Sequence, residues 1–258
     1  MTTSFRKPSA RRVLALVPAL LVALAAGRTV QAQDALPKGT DLLAKYVAAT
    51  GGLDAYKAIT SVHMTGTFEM PAQNIGGTAD MFQARPSQMR MTINIQGIGQ
   101  ADQGSDGKVA WSVDPMSGPS LLTGKALADA KAEAMFESQY FAPEFVKSAT
   151  TLEKTTFRNR PAYKVKVVTT FDTEKTLYID AESSLVIGTE SVTETPMGPV
   201  ATTTSTGDYK KFGAIMQPTT IVQSAMGMEQ IVRVSTVEYN NVPASAFEPP
   251  AAVKALIK

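Results

Sequence analysis

A chain of 258 residues with one histidine and no cysteine has few routes to covalent chemistry. A serine nucleophile is normally activated by a neighbouring histidine, and only His63 could serve. Its place between Val62 and Met64 in a period-two segment turns the imidazole away from the apolar side, toward the expected solvent face. Zinc sites built from nitrogen and sulfur cannot be assembled from this residue set. Asp102, Asp106 and Asp114 lie close in sequence, but around a hairpin, where aspartate serves turn chemistry. The regular Asp/Asn spacing of a calcium loop is missing, as is a glycine-rich phosphate loop ending in Lys-Ser/Thr. A carboxylate-only hydrolase would need two acids brought together by the fold, and no pair announces itself. The expectation is a non-catalytic protein with no metal and no cofactor.

The residues that remain conspicuous are the methionines. Eleven follow the initiator, and Met64, Met70, Met81, Met89 and Met91 fall within the first three period-two segments. Methionine is unbranched and polarizable, so it repacks around ligands of varied shape. It is equally an ordinary filler between sheet and helix. Periodicity locates a buried face without saying what lies against it, and both readings stay open at this point. Trp111, the only tryptophan, alternates with Val109 and Val113 and is either a core plug or a cavity wall.

Around these residues the chain changes period. Thr40 is placed to cap a helix carrying Leu42, Leu43, Tyr46 and Val47, which Gly51-Gly52 stops. From residue 60 apolar and polar residues alternate: Val62, Met64, Phe68 and Met70, then Met89, Met91, Ile93 and Ile95. Further strands are expected at about 78–85, 108–114, 151–158, 161–170, 174–180, 184–195, 199–210, 214–224 and 229–239. Short turns such as Asp106-Gly107 and Asn159-Arg160-Pro161 join them into an antiparallel meander. One stretch, 123–147, is rich in helix formers, with Pro143 ending or kinking it and Phe136, Tyr140, Phe141 and Phe145 at its end. The threonine run at 202–206 suits a solvated edge strand.

The N-terminus reads as an export signal. Arg6, Lys7, Arg11 and Arg12 precede an apolar run from Val13 to Gly27, and Val30-Gln31-Ala32 offers a cleavage site. The expected organisation is a signal peptide over 1–32 and one domain over 33–258. Loss of residues 1–32 removes five of the 25 Lys and Arg and none of the 23 Asp and Glu, leaving a net charge of −3. A weakly acidic product lacks the basic face that nucleic acid requires. Without cysteine, a domain this long relies on its core rather than on disulfides.

A series of short motifs carries a family resemblance. Gly77, Asp80 and Phe82 precede Arg85-Pro86; then come Ser105-Asp106-Gly107-Lys108, Trp111 and Asp114-Pro115. Val242, Ala244-Ser245, Phe247 and Pro249-Pro250 stand near the end. In this order and spacing the chain resembles the periplasmic outer-membrane lipoprotein carriers of the LolA type. The resemblance implies a mostly β, α+β fold: a single twisted antiparallel sheet of about 11 strands, an incomplete β-barrel covered by a few helices acting as a lid. It implies an apolar cavity for lipid or lipoprotein acyl chains between sheet and lid. Met64, Phe68, Met70, Met81, Met89, Met91, Ile93 and Trp111 are the strand residues expected there, with Met135 and Phe141 from the helical stretch. Arg85 matches the arginine that holds the lid closed. The implied protein is a periplasmic monomer that meets a membrane-bound donor or acceptor. A sensor or protein-interaction module on the same fold is the alternative, with strands 199–210 and 214–224 as its binding edge.

Overall fold

The computed structural model describes residues 1–2, 35–195 and 198–257, and the account below concerns the unit that begins at Leu36. The expected signal segment lies outside the described residues.

Alternation produces strands wherever it was expected, and in two places where it is absent. β1 (Ser61–Met70), β2 (Ile75–Ala84), β3 (Gln88–Ile95), β4 (Gly99–Ser105), β5 (Ala110–Asp114) and β6 (Gly118–Leu121) form a first meander. A second runs through β7 (Val146–Phe157), β8 (Arg160–Thr169), β9 (Glu174–Asp180), β10 (Val186–Thr195), β11 (Gly198–Gly207), β14 (Thr220–Ala225) and β15 (Met228–Tyr239). β12 (Lys210–Phe212) and β13 (Ile215–Gln217) make a separate small ribbon. β1 pairs with β15 and so joins the two meanders into one 13-stranded antiparallel sheet, open between β6 and β7. The sheet exceeds the expected eleven strands by β4 and β6, which carry no apolar alternation, while 214–224 divides into β14 of the sheet and β13 of the small ribbon.

One expectation is overturned here. β11, with its threonine run, is an interior strand paired to β10 and β14, and β14 is likewise paired on both sides. Thr202 and Ser205 are buried in it. Threonine favours strands of either kind, so composition alone could not separate edge from centre. The proposed interaction edge is therefore not available.

The connection from β6 to β7 shapes the sheet. On a flat sheet those strands would lie twelve spacings apart, roughly 58 Å. Residues 122–145 must cover that span, and α3 (Gly124–Ala134) supplies 11 of them at only about 1.5 Å each. Even with the rest fully stretched, the segment reaches about 60 Å. It is not stretched: Phe136–Gln139 is a 3-10 turn, and the amide of Ala142 donates back to the carbonyl of Glu137. The sheet must curl, and the connection must cross its inner face.

Two apolar clusters sit on that face. Leu42, Leu43 and Tyr46 of α1 (Gly39–Ala49) pack on Val165, Val167, Leu177, Ile179 and Val186. Ile59, Val62, Phe136, Tyr140, Ala142 and Phe145 form the second, together with Tyr56 of α2 (Leu53–Lys57). α1 begins two residues earlier than expected, with Lys38 at the N-cap position, and Thr40 lies inside its first turn rather than capping it. The C-terminal segment, with a 3-10 turn at Ala244–Phe247 and α4 (Ala251–Lys254), buries Phe247 and Val253 and packs beside β3 and β6.

Candidate functional site

α3 crosses the inner face with almost no bulk. Its sequence alternates alanine with longer residues, so Ala126 and Ala130, one turn apart, share a face. Both line a cavity of about 520 Å³. Its walls come from β3 to β6 on one side and β9 and β10 on the other, strands far apart in sheet order. Ala132 and Phe145 are buried lining residues, each 3% exposed, and Met89, Leu122, Ala126 and Ala130 are half-buried. Gln103, Asp114, Ser117, Ser120, Lys125, Glu133 and Glu174 are exposed and form the mouth. A leucine at either alanine would occupy the space that the short methyl leaves.

The helix is held at one end. The side-chain amide of Gln83 donates to the carbonyls of Glu133, Ala134 and Met135 at 3.2, 3.4 and 3.2 Å. These are the last-turn acceptors that a helix leaves without internal partners. Gln83 Oε1 in turn accepts from Gln139 Nε2 at 2.6 Å. Just beyond, Arg85 ties the following 3-10 turn to the sheet. Its Nε donates to the carbonyl of Ile59 at 2.8 Å, and its Nη2 to the carbonyl of Tyr56 at 3.2 Å. Nη1 pairs with the buried carboxylate of Glu137, and the guanidinium stacks 4.4 Å over the Phe136 ring. Burial pulls the guanidinium pKa down, but the Tyr140 hydroxyl and the Glu137 charge outweigh it and raise the net value. Arg85-Pro86 is a cis peptide bond.

The cross-strand register settles which residues share the inner face. Met64 pairs with Met81, Met81 with Met91, and Met91 with Gln103, a cavity residue. Met70, Met81, Met89, Met91 and Ile93 are all half-buried, and Phe68 is buried. Met89 lines the cavity, and Met81 and Met91 extend the same face away from it. Met64 and Met135 pack against the Phe136 cluster, and Phe141 touches both clusters.

Trp111 is placed differently. It pairs with Gly104, which pairs with Arg90, so its ring points to the outer face. There it covers Gly104, where an added Cβ would come within 2.6 Å of the indole. Its Nε1 donates to Asp102 at 2.7 Å, and the same carboxylate takes Arg90 Nε at 2.8 Å and Thr92 Oγ1 at 3.2 Å. Gly104 and Trp111 border the cavity through a strand whose side-chain positions there lie behind it. His63 is also on the outer face, stacked on Phe82 and bonded to Asp80 at 3.2 Å rather than free in solvent.

Sequence reasoning passed over Gln83, Glu137 and the α3 alanines. Gln83 carried a usable signal: it has the inward parity of Met81, and an amide on a core face needs partners.

No family model matches the sequence, and no curated protein does. Solved structures do match. A LolA superfamily protein from Nitrosomonas europaea superposes over 83% of this chain and 99% of its own, with a TM-score of 0.54 at 13% identity. The fold is the LolA type. A domain named for outer membrane lipoprotein sorting, from Vibrio parahaemolyticus, matches over 81% of this chain and 95% of its own, with a TM-score of 0.51 at 10% identity. A DUF1329 family protein from Desulfovibrio piger matches over 84% and 100%, with a TM-score of 0.55 at 8% identity. At such identities the likeness is one of fold. On this LolA-like sheet the cavity is roofed by α3, and the methionine face runs out from beside it. No helix among the described residues is long and apolar enough to cross a membrane.

Proposed function

We propose that the protein is a non-catalytic periplasmic carrier that holds the acyl chains of a lipid or lipoprotein between the sheet and α3. One observation carries this reading. A helix that turns Ala126, Ala130 and Ala132, flanked by Lys125, Asp129 and Glu133, toward the inner side of a curled sheet leaves a cavity of about 520 Å³, bordered by a half-buried methionine face. That volume lies inside the ordinary range of small-ligand sites, about 300–1,000 Å³. Transfer of each CH₂ from water into such a site is worth about 0.8 kcal/mol, so an acyl chain binds there without polar recognition.

α3 is the moving part in this reading. Gln83 and Arg85 hold its C-terminal end, and Arg85 is the latch whose release lets the helix lift. The match to a lipoprotein-sorting domain supports a cargo of acylated protein or lipid, passed between membrane-bound donor and acceptor. Residues 1–32 are the export signal in this account, which places the carrier in the periplasm.

Native mass spectrometry with lipid extraction, on exported protein lacking residues 1–32, tests the reading. Bound masses matching phospholipids or acylated peptides are expected. A clean apo mass that incubation with lipids and lipopeptides leaves unchanged would transfer the reading to a sensor or interaction module on the same fold.

A further inference from the structure

The charges around the cavity bear on which acyl compound it takes. Four carboxylates, Asp114, Asp129, Glu133 and Glu174, line it against two ammonium groups, Lys125 and Lys175. Both cations are already engaged. Lys125 Nζ sits 2.7 Å from Asp129, and Lys175 Nζ sits 3.3 Å from Glu133. Glu174 is paired with Lys166, which is not a lining residue, at 2.8 Å. Asp114 accepts the amides of Met116 and Ser117 and the Ser117 hydroxyl, which hold its carboxyl below the usual range and keep it charged at neutral pH. The lining contains no arginine, the side chain best shaped to grip phosphate. The other polar groups are neutral: Gln103, Ser112, Ser117, Ser120, Thr173 and Ser191.

From this arrangement we infer that the cavity selects acyl amphiphiles whose head group carries no net negative charge and turns away anionic phospholipids. The inference rests on the carrier reading and sharpens it. The apolar wall of Ala132, Phe145, Met89 and Leu122 takes the chains. The hydroxyls and the Gln103 amide offer hydrogen bonds to an uncharged or cationic head. The mouth carries an excess of negative charge that an anionic head must approach with its own charge unpaired. Like charges brought together at the mouth disfavour the complex, and salt screens those that stay in water. A membrane rich in anionic phospholipid is full of competing acyl chains, so a carrier that rejects them keeps its site open for another cargo.

The test uses protein without residues 1–32, loaded with a fluorescent diacylglycerol. Three competitors carry identical octanoyl chains: dioctanoylglycerol, dioctanoyl-phosphatidylglycerol and a dioctanoylated lysine peptide. The uncharged and cationic compounds should displace the probe about tenfold better than the phosphatidylglycerol at low salt, and added salt should close the gap. The variant Asp129→Asn/Glu133→Gln/Glu174→Gln should narrow the gap, with its unfolding midpoint recorded to show that it folds. Equal displacement by all three, or a gap that the variant leaves unchanged, would overturn the selectivity while the carrier reading stands. Failure of the protein to bind the probe or any competitor would overturn both.

Discussion

At the scale of single residues, the segment that follows α3 is held to the sheet by groups that water cannot easily replace. The Glu137 carboxylate is buried, and Arg85 is its ion-pair partner as well as a donor to two backbone carbonyls. Truncation of Arg85 leaves that carboxylate buried and alone, which typically costs about 3–5 kcal/mol. Arg85→Ala should therefore lower stability in urea unfolding by about 3 kcal/mol. Arg85→Lys should recover only part, because an ammonium cannot present the guanidinium fork. A loss below about 1 kcal/mol, the range of an exposed pair, would remove the latch. The Arg-Pro motif made this residue visible in the sequence, but its partners were not. Glu137 and Tyr140 sit some fifty positions away, and only the folded connection brings them to Arg85. Trp111 shows the opposite case. Alternation with Val113 says that it is buried, yet only the register through Gly104 and Arg90 tells which side of the sheet it occupies.

Among the elements, α3 has the clearest physical role. Its alanines keep it helical at little entropic cost while they leave the sheet beneath uncovered. Ala126→Leu/Ala130→Leu should fill the cavity, abolish binding of an acyl probe and leave the unfolding midpoint unchanged or raised. Retained binding in the filled variant would move the site elsewhere. The sequence showed a helix-forming stretch here, ended or kinked at Pro143, whereas the helix already ends at Ala134 with a 3-10 turn beyond. The carbonyls freed by that early end are the ones Gln83 takes, and no local signal marks a stop that a distant amide stabilises. The strands follow the same division. β1, β3 and β8 were legible because their apolar residues alternate. β4, with the sequence GQADQGS, is a strand because β3 and β5 offer it ladders on both sides. β6 is four residues long and contains Pro119, which is tolerated at an edge.

For the molecule as a whole, topology does what no motif could. The first and last strands of the sheet pair at its centre, so β6 and β7 become the edges, and the chain between them has to cross the inner face. A helical segment across a curled sheet follows from that connection and from its length. The period-two segments made the sheet predictable. The central β1–β15 pairing and the connection's course depend on contacts between distant segments; the family resemblance pointed to helices over the sheet, and nothing in the sequence pointed to the pairing. The central claim is that acyl chains lie under α3, and photo-crosslinking with a diazirine-bearing diacylglycerol followed by peptide mapping tests it most directly. The account predicts adducts on Met89, Leu122, Ala126, Ala130 and Phe145, lost in the alanine-to-leucine variant. Adducts confined to the outer face, around Phe157 and Val222, or spread without preference, would contradict it.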